Sequence, residues 1–265
     1  MRAMRTFMTA LAVSAMMFGC STLPVTLRPT VQAVRPRVTA IDFHGVNMAF
    51  DVDIRNPLPV VLPSPRVRYG IEIQGSDFVS SEMAAAAELP ARGVGTVSFP
   101  VRLSYHDLWR TYKSLGNASE VSYTLHGAFV LAALGQSFEV PVSHSGSVPI
   151  LQPPLLTALK VRLADVSLSK ATVIVDSEIK NPNVFPLGIG SLRYTLDLGD
   201  VRIGDLSASS PGPVRAGQTQ QFNLSGEVSA SNGLIKLLMS GVTGKPEIAA
   251  SGSIQTPYGP VRLSK

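Results

Sequence analysis

The sequence predicts a mainly β protein, built as two tandem antiparallel sandwiches that each carry one short helix. Three observations predict it. Apolar and polar residues alternate over several segments of strand length, the period of a strand with one buried face. The same alternation returns 125 residues further along the chain, which marks an internal duplication. Pro and Gly turns separate the segments at short intervals, as in antiparallel sheets rather than parallel α/β ones. Composition agrees, because 45% hydrophobic residues is far more than a disordered hydrophilic chain carries.

Taken in order, the chain opens with MRAMRTFMTALAVSAMMFGC, in which Arg2 and Arg5 precede an apolar run over residues 7–18 and then Gly19-Cys20. Residues 1–19 read as a secretory signal. The apolar run is about twelve residues, where a helix needs roughly twenty to cross the hydrocarbon core. Cys20 is the one cysteine of the chain and resembles the acylated first residue of a mature bacterial lipoprotein. That resemblance implies a membrane anchor at Cys20, and Ser21 after it resembles the signal for an outer-membrane lipoprotein facing the periplasm. No second cysteine exists to form a disulfide. Residues 20–37, with Pro24, Pro29 and Pro36, read as the lipidated N-terminus and an extended tether of up to roughly 55 Å. Without Arg2 and Arg5 the 23 basic residues fall to 21 against 18 acidic, a net charge of +3 with no basic run. Nucleic acid is therefore not an expected partner.

The first repeat is expected over residues 38–150. Its inward positions are Met48, Phe50, Val52 and Ile54, then Val67, Tyr69, Ile71 and Ile73, then Val97, Phe99, Val101 and Leu103, and finally Tyr123, Leu125, Gly127 and Phe129. Between the third and fourth strands, HDLWRTYKSLG places Leu108, Trp109, Tyr112 and Leu115 on one helix face, with Gly116 as the stop. The second repeat is expected over residues 155–265. Its matching positions are Val173, Val175, Ser177 and Ile179; Leu192, Tyr194, Leu196 and Leu198; Phe222, Leu224, Gly226 and Val228; and Ile248, Ala250, Gly252 and Ile254. SNGLIKLLMSG repeats the helix with Leu234, Ile235 and Leu238.

In both repeats the first of these strands ends in Asn-Pro, Asn56-Pro57 and Asn181-Pro182. Proline lacks an amide hydrogen and holds the preceding residue extended, so it ends sheet pairing. The asparagine amide is then placed to bond nearby backbone and close the turn. This motif, in VIVDSEIKNPNVFPLGIGSLRYTLDLGDVRIG and again in MAFDVDIRNPLPVVLPSPRVRYGIEIQG, resembles the late embryogenesis abundant type 2 domain, also called the water-stress-and-hypersensitive-response (WHy) domain. The resemblance implies immunoglobulin- or fibronectin-III-like sandwiches and a stress-protective role.

Residues suited to catalysis are sparse. His44, His106, His126 and His144 all fall in the first repeat, without metal-ligand spacing or a cysteine to assist. They read as surface or capping histidines, and no metal or cofactor is expected. Asp51 and Asp53 point outward from one strand, a paired-carboxylate arrangement that also serves solubility. No phosphate-binding glycine loop or Gly-x-Ser-x-Gly elbow occurs. The expected function is non-enzymatic: an envelope-anchored protein that shields client proteins or membranes under desiccation and related stress. The alternative is a module for lipid or another apolar ligand, with Leu108, Trp109 and Tyr112 lining the pocket.

Overall fold

The 125-residue step that organises the sequence also organises the backbone. The computed structural model describes residues 27–116, 118–133, 135–190, 192–198, 201–209, 212–229, 235 and 246–263. The first repeat contains β1 (Thr30–Ile41), β2 (Gly45–Arg55), β3 (Arg66–Ile73), β4 (Ser76–Ala84), β5 (Val94–Ser104), β6 (Glu120–Ala133) and β7 (Gln136–Pro149). One helix, α1 (Tyr105–Thr111), separates β5 from β6. The second contains β8 (Leu155–Ala164), β9 (Lys170–Lys180), β10 (Arg193–Leu198), β11 (Val201–Ser209), β12 (Thr219–Ser229), β13 (Pro246–Thr256) and β14 (Gly259–Leu263). Strands β2, β4 and β5 return as β9, β11 and β12 with both ends displaced by 125 residues. The protein is mainly β with antiparallel pairing, as the alternating pattern predicts.

In the first repeat, a three-stranded sheet ordered β1-β2-β5 faces a four-stranded sheet ordered β4-β3-β6-β7. Aromatic rings join the two. Phe50 and Phe99 stack at 5.6 Å on one sheet, Phe50 meets Tyr123 edge-on at 5.7 Å, and Phe99 meets Tyr69 at 5.1 Å and Phe129 at 6.1 Å on the other. Tilted and edge-to-face rings of this kind add to what area burial alone contributes. The second repeat has the same neighbours, but β11 pairs with β12 through Ser207↔Ser225, Ala208↔Leu224 and Ser209↔Asn223 as well as with β10. That extra ladder makes one seven-stranded sheet, ordered β14-β13-β10-β11-β12-β9-β8. Its core is lighter, with Val175, Leu224 and Ile254 buried where the first repeat has Phe50, Phe99 and Phe129.

The tether expected over residues 20–37 is shorter than the sequence suggests. Residues 30–37 form the first part of β1, which pairs with β2 from Thr30↔Arg55 to Ile41↔Val46. The prolines mislead here because β1 is an edge strand, where a residue without an amide hydrogen forfeits no ladder bond on its open side. Strand β8 repeats β1 down to its irregularity: register skips between Val31 and Ala33 and again between Leu156 and Ala158. The first repeat thus begins before Val38.

The predicted helix is also shorter than its apolar stripe. Ser104 caps α1 by accepting from the Asp107 amide, and the helix ends at Thr111 with a 3-10 turn over Lys113–Leu115 behind it. Gly116 has φ of −58°, so it is not the left-handed stop that its position suggests. What breaks the helix is Tyr112, whose ring turns to Phe78 at 6.3 Å and whose hydroxyl donates to the Ser76 carbonyl at 3.5 Å. The β3–β4 hairpin turns on Gln74 and Gly75, both at positive φ (51° and 75°), the pair of values a two-residue hairpin of matching twist requires. The expected signal at residues 1–19, Cys20, and the predicted second helix apart from Ile235 lie outside the described residues. Among those that are described, no helix is long and apolar enough to cross a membrane.

Candidate functional site

The two Asn-Pro corners share four hydrogen bonds, and the second adds one from Asn183 Nδ2 to Asn181 Oδ1 at 2.9 Å. Asn56 is fully buried; its Nδ2 donates to the carbonyls of Val60 (2.8 Å), Pro90 (3.0 Å) and Leu89 (3.3 Å), and its Oδ1 accepts from the Leu58 amide at 3.0 Å. Asn181, also fully buried, donates to Phe185 (2.8 Å), Val214 (3.0 Å) and Arg215 (3.2 Å), and accepts from the Asn183 amide at 2.9 Å. Pro57 and Pro182 follow and end the strands. Each asparagine therefore ties the turn after its strand to a segment more than thirty residues away that leads into the next strand of the same sheet. These amides are spent on backbone carbonyls, so the corners are architectural.

The aromatic helix does not assemble the apolar pocket suggested by Leu108, Trp109 and Tyr112. Leu108 is fully buried in the core, three residues after the equally buried Tyr105 and on the same helix face. Tyr112 lies past the helix end, against Phe78. Trp109 alone reaches a hollow of about 460 Å³, sharing it with Phe43, Leu151, Pro153, Leu155 and Leu263. Its ring lies 5.9 Å from Tyr105 and is 38% exposed, and Leu155 across the hollow is 48% exposed.

Three residues that the sequence reading passed over hold the join between the repeats. The Tyr105 hydroxyl donates to the Pro149 carbonyl (3.2 Å) and accepts from the Leu151 amide (3.1 Å). Burial pushes that phenol well above its usual range, so it remains a neutral donor. Gln152 donates through Nε2 to the Ala118 carbonyl at 2.8 Å, while its backbone exchanges two bonds with the buried Asn183 side chain, at 2.7 and 2.9 Å. One signal was legible: Asn183 stands where the first repeat has the apolar Leu58, a polar residue at a core position.

The outward carboxylates are neutralised in pairs. Arg35 donates both terminal nitrogens to Asp53, at 2.5 and 2.7 Å, and Thr96 adds a third bond at 2.7 Å. Arg37 donates to Asp51 at 2.8 Å, a pair that returns in the second repeat as Arg162 to Asp176 at 3.1 Å. Hydrogen bonds from Arg35 and Arg37, with their charge, hold Asp53 and Asp51 below the usual carboxylate range. At neutral pH neither carries a proton to give, nor is either basic enough to take one efficiently.

Of the histidines, His44 and His106 are exposed beside Asp42 and Asp107. His144 lies 6.3 Å from the Tyr123 ring. His126, on β6, stands between Glu72 and Asp77 of the β3–β4 hairpin, ligand types that lie some fifty residues away in sequence.

Comparison with known proteins gives one family and a set of distant folds. No protein of curated function matches the chain. A crystal structure of a protein from Archaeoglobus fulgidus matches with a TM-score of 0.38 at 11% identity, covering 46% of this chain and 99% of that one. A solution structure of a protein from Arabidopsis thaliana matches with a TM-score of 0.41 at 17% identity, covering 52% of this chain and 91% of that one. The model of the late embryogenesis abundant family matches twice, over residues 51–146 and 176–259, once on each repeat. Those two matches span more than half of the sequence and bracket both Asn-Pro corners, and by them the protein belongs to the late embryogenesis abundant family, type 2, as a tandem pair.

Proposed function

We propose that the protein is an envelope-anchored lipoprotein that protects clients or membranes under water stress through non-catalytic surface contacts. Family membership supports a stress-related role. The observation that carries the non-catalytic reading is the occupation of the groups that could do chemistry: Asp51 and Asp53 are each bonded to an arginine, and Asn56 and Asn181 are each bonded to backbone. The outward ion pairs, Arg35–Asp53, Arg37–Asp51 and Arg162–Asp176 among them, suit many weak contacts rather than one bound substrate.

Anchoring rests on the signal and Cys20. With β1 beginning at Thr30, only residues 21–29 would separate the lipid from the first sheet, at most about 30 Å of chain. The first repeat would then work close to the bilayer. Cys20→Ala is expected to abolish acylation and move the protein from the membrane to the soluble fraction, or to stall its processing. Unchanged fractionation together with undiminished incorporation of labelled fatty acid would refute the anchor.

The Trp109 hollow favours a second reading, binding of an apolar ligand or lipid, because Trp109 and Leu155 leave apolar surface open there. One experiment separates the two. The chain from Ser21 onward is expected to slow heat- or drying-induced aggregation of an unrelated enzyme in proportion to its amount, and Trp109→Asp is expected to leave that effect unchanged. Native mass spectrometry of the same preparation is expected to show the bare chain mass. A discrete lipid adduct that disappears in a folded Trp109→Asp variant would instead establish the ligand-binding reading.

A further inference from the structure

Four residues on the outer face of β3, β4 and β6 differ between the repeats as a set. Gly70, Glu72, Asp77 and His126 stand where the second repeat has Thr195, Asp197, Arg202 and Ser251. In the second repeat Asp197 and Arg202 oppose one another across β10 and β11, and Arg202 Nε donates to Asp197 Oδ1 at 3.2 Å. In the first repeat Glu72 and Asp77 hold the same cross-strand position on β3 and β4. Two like charges are thus directly opposed, an arrangement that weakens a sheet unless a cation answers it. Among the described residues, the basic group that reaches these carboxylates is the His126 imidazole.

The geometry of His126 is prepared for more than a surface ion pair. The ring lies across Gly70, its partner on β3, and a Cβ at that position would come within 2.4 Å of Nε2. Only glycine leaves the imidazole this space. Nδ1 lies 3.4 Å from Glu72 Oε1, yet it is buried and makes no hydrogen bond. Nε2 lies 3.7 Å from Asp77 Oδ1. One donor atom from each of the three side chains falls within 4.8 Å of the others. Around a tetrahedral ion with bonds of about 2.0–2.2 Å, ligand atoms are about 3.3–3.6 Å apart, and an imidazole gives one ion one nitrogen, so side-chain rotations that bring both carboxylates to the same ring nitrogen would close the set.

We propose that Glu72, Asp77 and His126 form a binding site for a borderline divalent cation of the zinc, nickel or copper(II) class. An imidazole with two carboxylates suits those ions, whereas calcium and magnesium take oxygen donors throughout. The open side of the site faces a surface trough bordered by Arg68, Ser80, Ser81 and Glu82, where water would complete the coordination. The ion would bind three neighbouring strands together and do for the first repeat what the Arg202–Asp197 pair does for the second.

The test is zinc titration by calorimetry on the chain from Ser21 to Lys265, stripped with chelator; this chain carries no thiol to compete. One saturable site is expected. His126→Ala should weaken it by at least about 100-fold, since losing even a partner behind a metal ligand costs 10–100-fold. Asp77→Arg, which installs the second repeat's own pairing, should abolish binding while leaving thermal unfolding of the metal-free protein unchanged or raised. Cobalt(II) should give visible absorption bands that His126→Ala removes. Absence of saturable binding for zinc, nickel and copper alike, or a stoichiometric site that survives both variants, would overturn the proposal.

Discussion

Phe99→Ala is expected to lower the stability of the first repeat by about 3–5 kcal/mol, the range for deleting a buried aromatic ring and leaving a cavity behind. Phe99 is fully buried and touches three rings on two sheets: Phe50 beside it on β2, and Tyr69 and Phe129 opposite on β3 and β6. Its removal opens the centre of the interface between sheets, where the backbones are held by ladders and cannot close inward. Denaturant unfolding followed by hydrogen exchange and mass spectrometry measures the loss and locates it. Strands β2, β5 and β6 should exchange early, while β9 and β12 keep their protection because the rings that Phe99 touches all belong to the first repeat. Phe99→Leu, which keeps most of the volume, should cost less than half as much. A shift below about 1 kcal/mol for the alanine variant would mean that the facing sheets do collapse onto the gap.

The second large effect is expected at the Asn181 corner. Asn181→Ala removes the donors to the Phe185, Val214 and Arg215 carbonyls and the acceptor for the Asn183 amide, all buried or nearly so. A single buried group losing its partner costs about 1–3 kcal/mol. Several lose theirs together here, so about 3 kcal/mol is expected, lowering the transition of the second repeat by about 10 °C or more. Asn181→Asp tests the cause. It keeps shape and acceptor but turns a charged oxygen toward three carbonyls, so it should be at least as damaging as alanine. Asn56→Ala should behave in parallel in the first repeat. If the aspartate variant were as stable as the parent, donation to those carbonyls would not be what the asparagine supplies.

Much of this architecture was legible because its signals are local or periodic. Alternation along Met48, Phe50, Val52 and Ile54 gives the buried face of β2 without knowledge of its partner, since successive side chains of a strand point to opposite sides. The duplication needed only comparison of the chain with itself. Edge strands were harder. β1 shows a weak alternation and contains a proline, and what makes it a strand is the ladder that β2 offers it. The helix length was misjudged for a similar reason: the apolar stripe runs through Tyr112, but the contacts of Tyr112 with Phe78 and Ser76 favour ending the helix there.

The sequence by itself determined the strand periods, the tandem repeat and the Asn-Pro corners, because each is written either in neighbouring residues or in the likeness of one half of the chain to the other. Tertiary structure decided which distant groups meet. It bonded Asn181 to carbonyls more than thirty residues away, locked Asp51 and Asp53 to arginines of an unforeseen edge strand, and sent Leu108, Trp109 and Tyr112 in three directions. It also set His126 over Gly70 between Glu72 and Asp77. Cross-strand register brings these side chains together, and register follows from how whole sheets pair and pack, which no short stretch of sequence spells out.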